Sequence, residues 1–161
     1  MAGVLATAAD FTLLYAPNIN SYKRFAAGSF APTTIAWGDD NRTCAVRLVG
    51  RGAGARMENR IPGADVNPYL ALAAMLAGGL HGIENELPLP EELVGNAYKS
   101  GLPRVPHTMA AARAAFDGSA VARGALGDDV VDHYVNMADV ELAAFDVAVT
   151  DWELRRGFER L

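Results

Sequence analysis

A chain of 161 residues, about half of them apolar, is long enough for one domain with a sizeable core and too hydrophobic to be disordered. Its net charge of −5 excludes a general nucleic-acid binder, which needs a basic face to offset phosphate. One cysteine, Cys44, excludes an intrachain disulfide framework, and no run of about 18 apolar residues marks a membrane span, so a soluble cytoplasmic protein is expected.

Residues 1–15 read as one short helix with Leu5, Phe11, Leu14 and Tyr15 as its larger apolar residues, stopped by Ala16-Pro17-Asn18. The polar stretch Asn20-Ser21-Tyr22-Lys23-Arg24-Phe25 follows, where two basic residues beside a tyrosine are either plain surface or an anion clamp. Residues 33–38 read as a strand, Asp39-Asp40-Asn41 as a turn and residues 42–49 as a second strand. The glycine-rich residues 50–54 then form a hairpin connection into a third strand, so an antiparallel meander is predicted. Gly52 and Gly54 do not make a phosphate loop, because the lysine and following Ser/Thr of that motif are absent.

The third strand carries Arg56-Met57-Glu58-Asn59-Arg60. With a side-chain period of two, Arg56, Glu58 and Arg60 share one face as a plus-minus-plus comb. Such a comb suits a metal at the carboxylate and a phosphate or carboxylate at the guanidinium forks; equally, it suits a self-neutralising solvated face. Arg24, Arg42, Arg47, Arg51, Arg56 and Arg60 concentrate positive charge in one segment of an acidic chain, which points to a site for a small anion. Arg42 and Arg47 are five apart and face opposite sides of a regular strand. A shared site therefore needs Arg42 on the entering turn, or a bulge.

Residues 61–65 turn the chain, with Asp65 a candidate helix N-cap, and residues 66–83 are apolar on nearly every side, which predicts a buried helix. Its alanines and glycines allow close approach of other elements. His81, near its end, reads as a capping or packing residue. Residues 84–107 read as an irregular connection, with a short turn at 91–94, that wraps over a neighbour or forms a functional rim. Thr108 and Ser119 cap two short helices, through residues 116 and 126. The last element, residues 128–158, reads as one long helix with a stripe of Val131, Val135, Ala138, Leu142, Phe145, Val149 and Trp152. The expected fold class is α+β: an antiparallel strand meander packed with a buried helix and a long C-terminal helix.

Taken in order, Asn20-Ser21-Tyr22-Lys23-Arg24, Ala36-Trp37-Gly38, Asn41-Arg42-Thr43, Val46-Arg47, Arg56-Met57-Glu58-Asn59-Arg60 and Asn67-Pro68-Tyr69-Leu70-Ala71 resemble the C-terminal part of the glutamine synthetase superfamily over nearly the whole chain. Glu58-Asn59-Arg60-Ile61-Pro62-Gly63-Ala64-Asp65 and the ending Thr150-Asp151-Trp152-Glu153 are similar to the γ-glutamyl-amine ligase branch that includes γ-glutamylpolyamine synthetases. The resemblance implies an ATP-dependent ligase that phosphorylates the γ-carboxylate of glutamate and lets ammonia or an amine displace phosphate. It implies ATP and Mg²⁺ or Mn²⁺ as cofactors, no nucleic-acid or membrane partner, and a homo-oligomeric full-length enzyme. By the same resemblance Arg24 and Arg60 contact substrate glutamate, Arg42 acts on the phosphoryl group in transfer, Arg42, Arg47 and Arg56 contact the nucleotide phosphates, and Glu58 holds the nucleotide-side metal.

The family's N-terminal β-grasp domain and its other metal-binding glutamates have no counterpart in residues 1–161, so the expectation is a C-terminal portion of the catalytic domain that does not turn over alone. The alternative is a non-catalytic anion-binding or assembly module that retains the fold.

Overall fold

The computed structural model describes residues 1–26, 28–29 and 31–160. Seven helices and three strands appear among them: α1 (Ala2–Ala6), α2 (Thr12–Tyr15), β1 (Thr34–Asp39), β2 (Cys44–Val49), β3 (Arg56–Asn59), α3 (Pro68–Glu84), α4 (Met109–Asp117), α5 (Ala120–Leu126), α6 (Asp128–Asp146) and α7 (Asp151–Phe158). The α+β class, the small sheet and the long helix near the C-terminus are as expected. Several details differ, each for a physical reason.

The sheet has the order β1-β2-β3, but only β2 and β3 are antiparallel. β1 and β2 run parallel, with Thr34 opposite Cys44 and Asp39 opposite Leu48, so residues 40–43 carry the chain back along the strand instead of closing a hairpin. A parallel connection ordinarily takes a dozen or more residues. Here the short return is tethered from outside: Asn41 Nδ2 donates to the carbonyls of Leu93 (3.1 Å) and Gly95 (2.8 Å), and the Ala97 N–H donates to Thr43 Oγ1 (2.9 Å). Asp40 takes a positive φ of 48°, a conformation that Asp tolerates better than most residues.

The irregular stretch 85–107 wraps over β1. The Leu93 N–H donates to the Trp37 carbonyl, the Ile35 N–H to that of Pro103 and the Val105 N–H to that of Thr33. Its one helical turn is a 3-10 turn at Ala97–Lys99, so the turn expected at 91–94 is displaced to where Asn96 caps the Tyr98 N–H.

The segment expected as one helix over residues 1–15 is instead two short helices. Thr7 and Thr12 return their hydroxyls to the carbonyls of Gly3 and Ala8, and the segment is core, with Val4, Leu5, Phe11 and Leu14 all buried. α3 crosses α1 closely enough that a Cβ on Gly82 would lie 2.7 Å from Gly3 Cα, and one on Gly78 would lie 2.5 Å from Thr7 Oγ1. Only glycine permits this approach, which accounts for the small residues on α3.

The helix is not buried all round. Ala71, Ala74 and Gly78 face the core, whereas Tyr69, Leu72, Leu76, Leu80 and Ile83 form an exposed apolar stripe. Asn67, not Asp65, caps it, its Oδ1 accepting from the Tyr69 and Leu70 N–H groups. Pro68 at the first position has no N–H to lose.

Thr108 and Ser119 cap α4 and α5, accepting from Ala111 N (3.2 Å) and Ala122 N (3.0 Å). The main core gathers Phe11, Ile61, Ala74, Phe116, Ala122 and Val131 from the residue before α2, from α3, α4, α5 and α6, and from the turn after β3. The predicted helix 128–158 is interrupted. α6 stops at Asp146, and α7 restarts from a capping box in which the Thr150 N–H donates to Glu153 Oε2 (2.6 Å). Of the stripe, Val131, Val135 and Ala138 are buried, while Phe145, Val149 and Trp152 are exposed.

Candidate active site

The antiparallel register places Arg47 opposite Glu58 and Val49 opposite Arg56. Directly opposed residues share a face, and so do residues two apart on one strand, so Arg47, Glu58 and Arg60 form one row. Glu58 is its centre: Oε2 accepts from Arg47 Nη1 at 3.1 Å and Oε1 from Arg60 Nη1 at 2.9 Å. Arg47 and Arg60 side chains are 16% and 15% exposed and Glu58 is 42% exposed, so the carboxylate is the solvent-facing member. Burial alone pushes the Glu58 carboxyl up, but the two guanidinium groups outweigh it and hold the group below the usual carboxylate range.

Arg47 has a second acid. Asp40, on the short return between β1 and β2, accepts from Arg47 Nε at 2.9 Å and pairs with its Nη2. Asp39 pairs likewise with Arg51. These two acids were legible only as a turn; their pairing with arginines depends on the parallel return, which sequence reasoning did not supply.

Arg24 closes the 3-10 turn Ile19–Arg24. Its guanidinium donates to the Ile61 carbonyl, lies 5.3 Å from the Phe25 ring centroid and is near enough to Arg60 and Asp65 to feel both charges. Asp65 fixes that turn from below, its Oδ2 accepting from Ser21 Oγ and from Asn18 Nδ2 (3.1 Å). The role expected of Asp65 as a cap is therefore replaced by an anchoring one, which the 44-residue separation from Ser21 hides in the sequence.

Arg42 sits on the entering turn, one of the two arrangements its spacing from Arg47 required. It lines an open concavity of about 420 Å³ with Asp40, Thr43 and Glu92. Arg56 stands exposed at the start of β3. Among the described residues neither Arg42 nor Arg56 makes an ion pair or side-chain hydrogen bond, so both guanidinium groups are open to an anion. The structure thus joins Arg47, Glu58 and Arg60 in one ion-pair row with Arg24 close to Arg60, while Arg42 and Arg56 stand outside that row.

A divalent metal fits these residues only in part. Glu58 offers one carboxylate, and among the described residues no group of three His, Cys, Asp or Glu side chains could enclose an ion, whereas Mg²⁺ takes six oxygen ligands. Cys44 is buried, and burial pushes its thiol up to about 11, which rules it out as a thiolate nucleophile near neutral pH. His81 lies in the last turn of α3, where its Nδ1 meets Asn85 Nδ2 at 3.1 Å, a packing role as expected. No helix among the described residues is long and apolar enough to cross a membrane.

Known proteins resemble this chain over nearly its whole length. The family model described as glutamine synthetase, catalytic domain, matches residues 1–157. The gamma-glutamylethanolamide synthetase GlnA4 of Streptomyces coelicolor is 61% identical over 161 residues, covering 100% of this chain and 35% of that protein. The gamma-glutamylputrescine synthetase PuuA of Escherichia coli is 40% identical over 156 residues, covering 96% of this chain and 33% of its own. A solved structure titled GmaS/ADP complex superposes with a TM-score of 0.86 at 31% identity, covering 98% of this chain and 38% of that one. The chain spans about a third of the length of the curated relatives it matches. On the family match over nearly its whole length, this chain belongs to the glutamine synthetase catalytic-domain family.

Proposed function

We propose that the chain is the C-terminal portion of the catalytic domain of an ATP-dependent glutamate–amine ligase, and that it carries the arginine wall of the phosphoryl-transfer site. In the reaction, a γ-carboxylate oxygen of glutamate attacks the γ-phosphorus of ATP and the bond to the ADP oxygen breaks. The amine nitrogen then attacks the acyl carbon of γ-glutamyl phosphate, phosphate leaves with the bonding pair, and the nitrogen gives up a proton. Apart from the amine, every species held is anionic, so the protein's main task is fixed positive charge where negative charge develops.

The observation that carries this reading is the Arg47–Glu58–Arg60 row, with Arg24 close to Arg60, Arg56 exposed at the start of the same strand and Arg42 in the concavity that Asp40 also lines. Arg24 and Arg60 hold the glutamate substrate, Arg47 and Arg56 the nucleotide phosphates, and Arg42 the phosphoryl group as it moves. A divalent ion, when bound, neutralises polyphosphate charge; Glu58 would be one of its ligands, and the rest come from outside this chain. The acceptor is an amine, as the names of the relatives suggest for them, and the working enzyme is a homo-oligomer of longer chains.

Two measurements test the reading. Calorimetric titration with ATP should show saturable binding that weakens about fivefold or more in Arg56→Ala, and again in Arg42→Ala. A coupled assay of glutamate- and amine-dependent ADP release should show none for this chain alone. Nucleotide binding indifferent to both substitutions would overturn the assignment of the wall, and turnover by the isolated chain would overturn its standing as a portion of the site.

A further inference from the structure

Arg47 is held by two acids at once. Its Nε (2.9 Å) and Nη2 both donate to Asp40 Oδ1, and its Nη1 donates to Glu58 Oε2 at 3.1 Å. Those bonds use three of the five N–H donors of the guanidinium. One donor on Nη1 and one on Nη2 are left, at the tip of the side chain. Arg47 is 16% exposed and Asp40 73%, so the acid is the outer member of the pair.

Asp40 is itself fixed. Its N–H donates to the carbonyl of Leu48, the residue after Arg47 on β2, at 2.9 Å. Its φ of 48° is left-handed, a conformation that a non-glycine residue keeps where its surroundings impose it. Before it, the Asp39 N–H donates to Glu92 Oε1 at 2.8 Å; after it, Asn41 is tethered to the carbonyls of Leu93 and Gly95. The carboxylate therefore projects from backbone fixed on both sides, two residues before Arg42. An ion pair with one partner this exposed adds little to stability. A fixed acid on one edge of a cation does set the direction of the donors it leaves, and donors already ordered lose less side-chain entropy when a ligand arrives.

We propose that Asp40 is a positioning residue of the nucleotide site: it holds the Nε–Nη2 edge of Arg47, so that the donors left at the tip meet the polyphosphate in one orientation, and it ties that orientation to the turn that bears Arg42. This role presupposes that the arginine wall receives a nucleotide. It also runs against simple charge counting, in which an acid beside a polyanion site only repels the ligand.

The test compares two substitutions of equal charge. Asp40→Asn and Asp40→Gly both remove the carboxylate, and both residues accept the left-handed backbone, but only Asn keeps an oxygen that can accept from Nε and Nη2. Each is made in the wild-type chain and in Arg47→Ala and titrated calorimetrically with ATP in EDTA, so that no metal enters the comparison; urea midpoints check that every variant folds. Asp40→Gly should bind ATP about fivefold more weakly than Asp40→Asn, and the two should bind alike in Arg47→Ala. No saturable ATP binding by the wild-type chain would refute the nucleotide reading of the wall, and this role with it. Wild-type binding with equal affinities of the Asn and Gly variants, or a difference between them that survives in Arg47→Ala, would refute the role of Asp40 alone.

Discussion

Replacing Glu58 by Gln removes one charge from the centre of the arginine row and leaves its shape in place. The carboxylate lies 3.1 Å from Arg47 Nη1 and 2.9 Å from Arg60 Nη1. At an effective dielectric of about 20, each contact is worth about 5 kcal/mol of gross Coulomb energy. Glu58 is 42% exposed, so solvent screening and the entropy of ordering cut the net to about 1 kcal/mol per pair. Loss of both should lower unfolding stability by about 1–2 kcal/mol, read as a shift in the urea midpoint at unchanged slope. Ligand binding should move the other way. With the carboxylate gone, the face presented to polyphosphate is more positive by one charge, and metal-free ATP should bind about fivefold more tightly. Mg-ATP should not share the gain, because the substitution also removes the one carboxylate that could reach the metal. Paired calorimetric titrations, with EDTA and with Mg²⁺, separate the two effects. Equal affinity of wild type and variant for metal-free ATP would show that the row is a self-neutralised solvated face.

Three further outcomes are expected. Phe116, fully buried on α4, should lose about 3–5 kcal/mol of stability on replacement by Ala, measured by urea denaturation; a loss below about 1 kcal/mol would contradict the packing described. Gly3→Ala would drive a methyl into the Gly78 carbonyl and should destabilise by about 1–3 kcal/mol or more, with α1 amides losing hydrogen-exchange protection first; a variant as protected as wild type would refute the close crossing. Acid should act through Glu58 and Asp65, both held below the usual carboxylate range. Their contribution is complete above the unfolded-state value of about 4 and is lost as pH falls through the lower folded-state values. Melting temperature should therefore drop below about pH 4, and less steeply in Glu58→Gln and Asp65→Asn; parallel profiles would refute the assignment.

Alternation in the third strand was readable because a strand's period of two assigns faces without knowledge of the neighbour. Facing is not partnership, however. That Arg47 binds Asp40 as well as Glu58 follows from a parallel return stabilised by residues 93–97, and neither propensity nor spacing near residue 40 contains that information. An apolar run such as residues 66–83 fixes a helix, yet composition does not distinguish a face buried within the chain from one turned outward. Tyr69, Leu72 and Leu76 belong to the second kind. The interruption of the last helix did leave a trace, since Thr150 and Glu153 have capping-box spacing, but the apolar stripe continues through it at helical intervals and masks the break.

The tether at Asn41 has a kinetic consequence. The side chain that shapes the return between β1 and β2 bonds to carbonyls 52 and 54 residues further along, so Arg42 cannot acquire its position while that stretch is unfolded. Contacts of such separation are entered late, after the loop-closure entropy has been met. The turn that bears Arg42 is therefore expected to mature late, after local helices and the β2–β3 hairpin. Weakening residues 93–95 should slow the acquisition of anion binding in a refolding experiment while leaving early helix formation unchanged. The electrostatics of the wall and the schedule of folding meet at one asparagine.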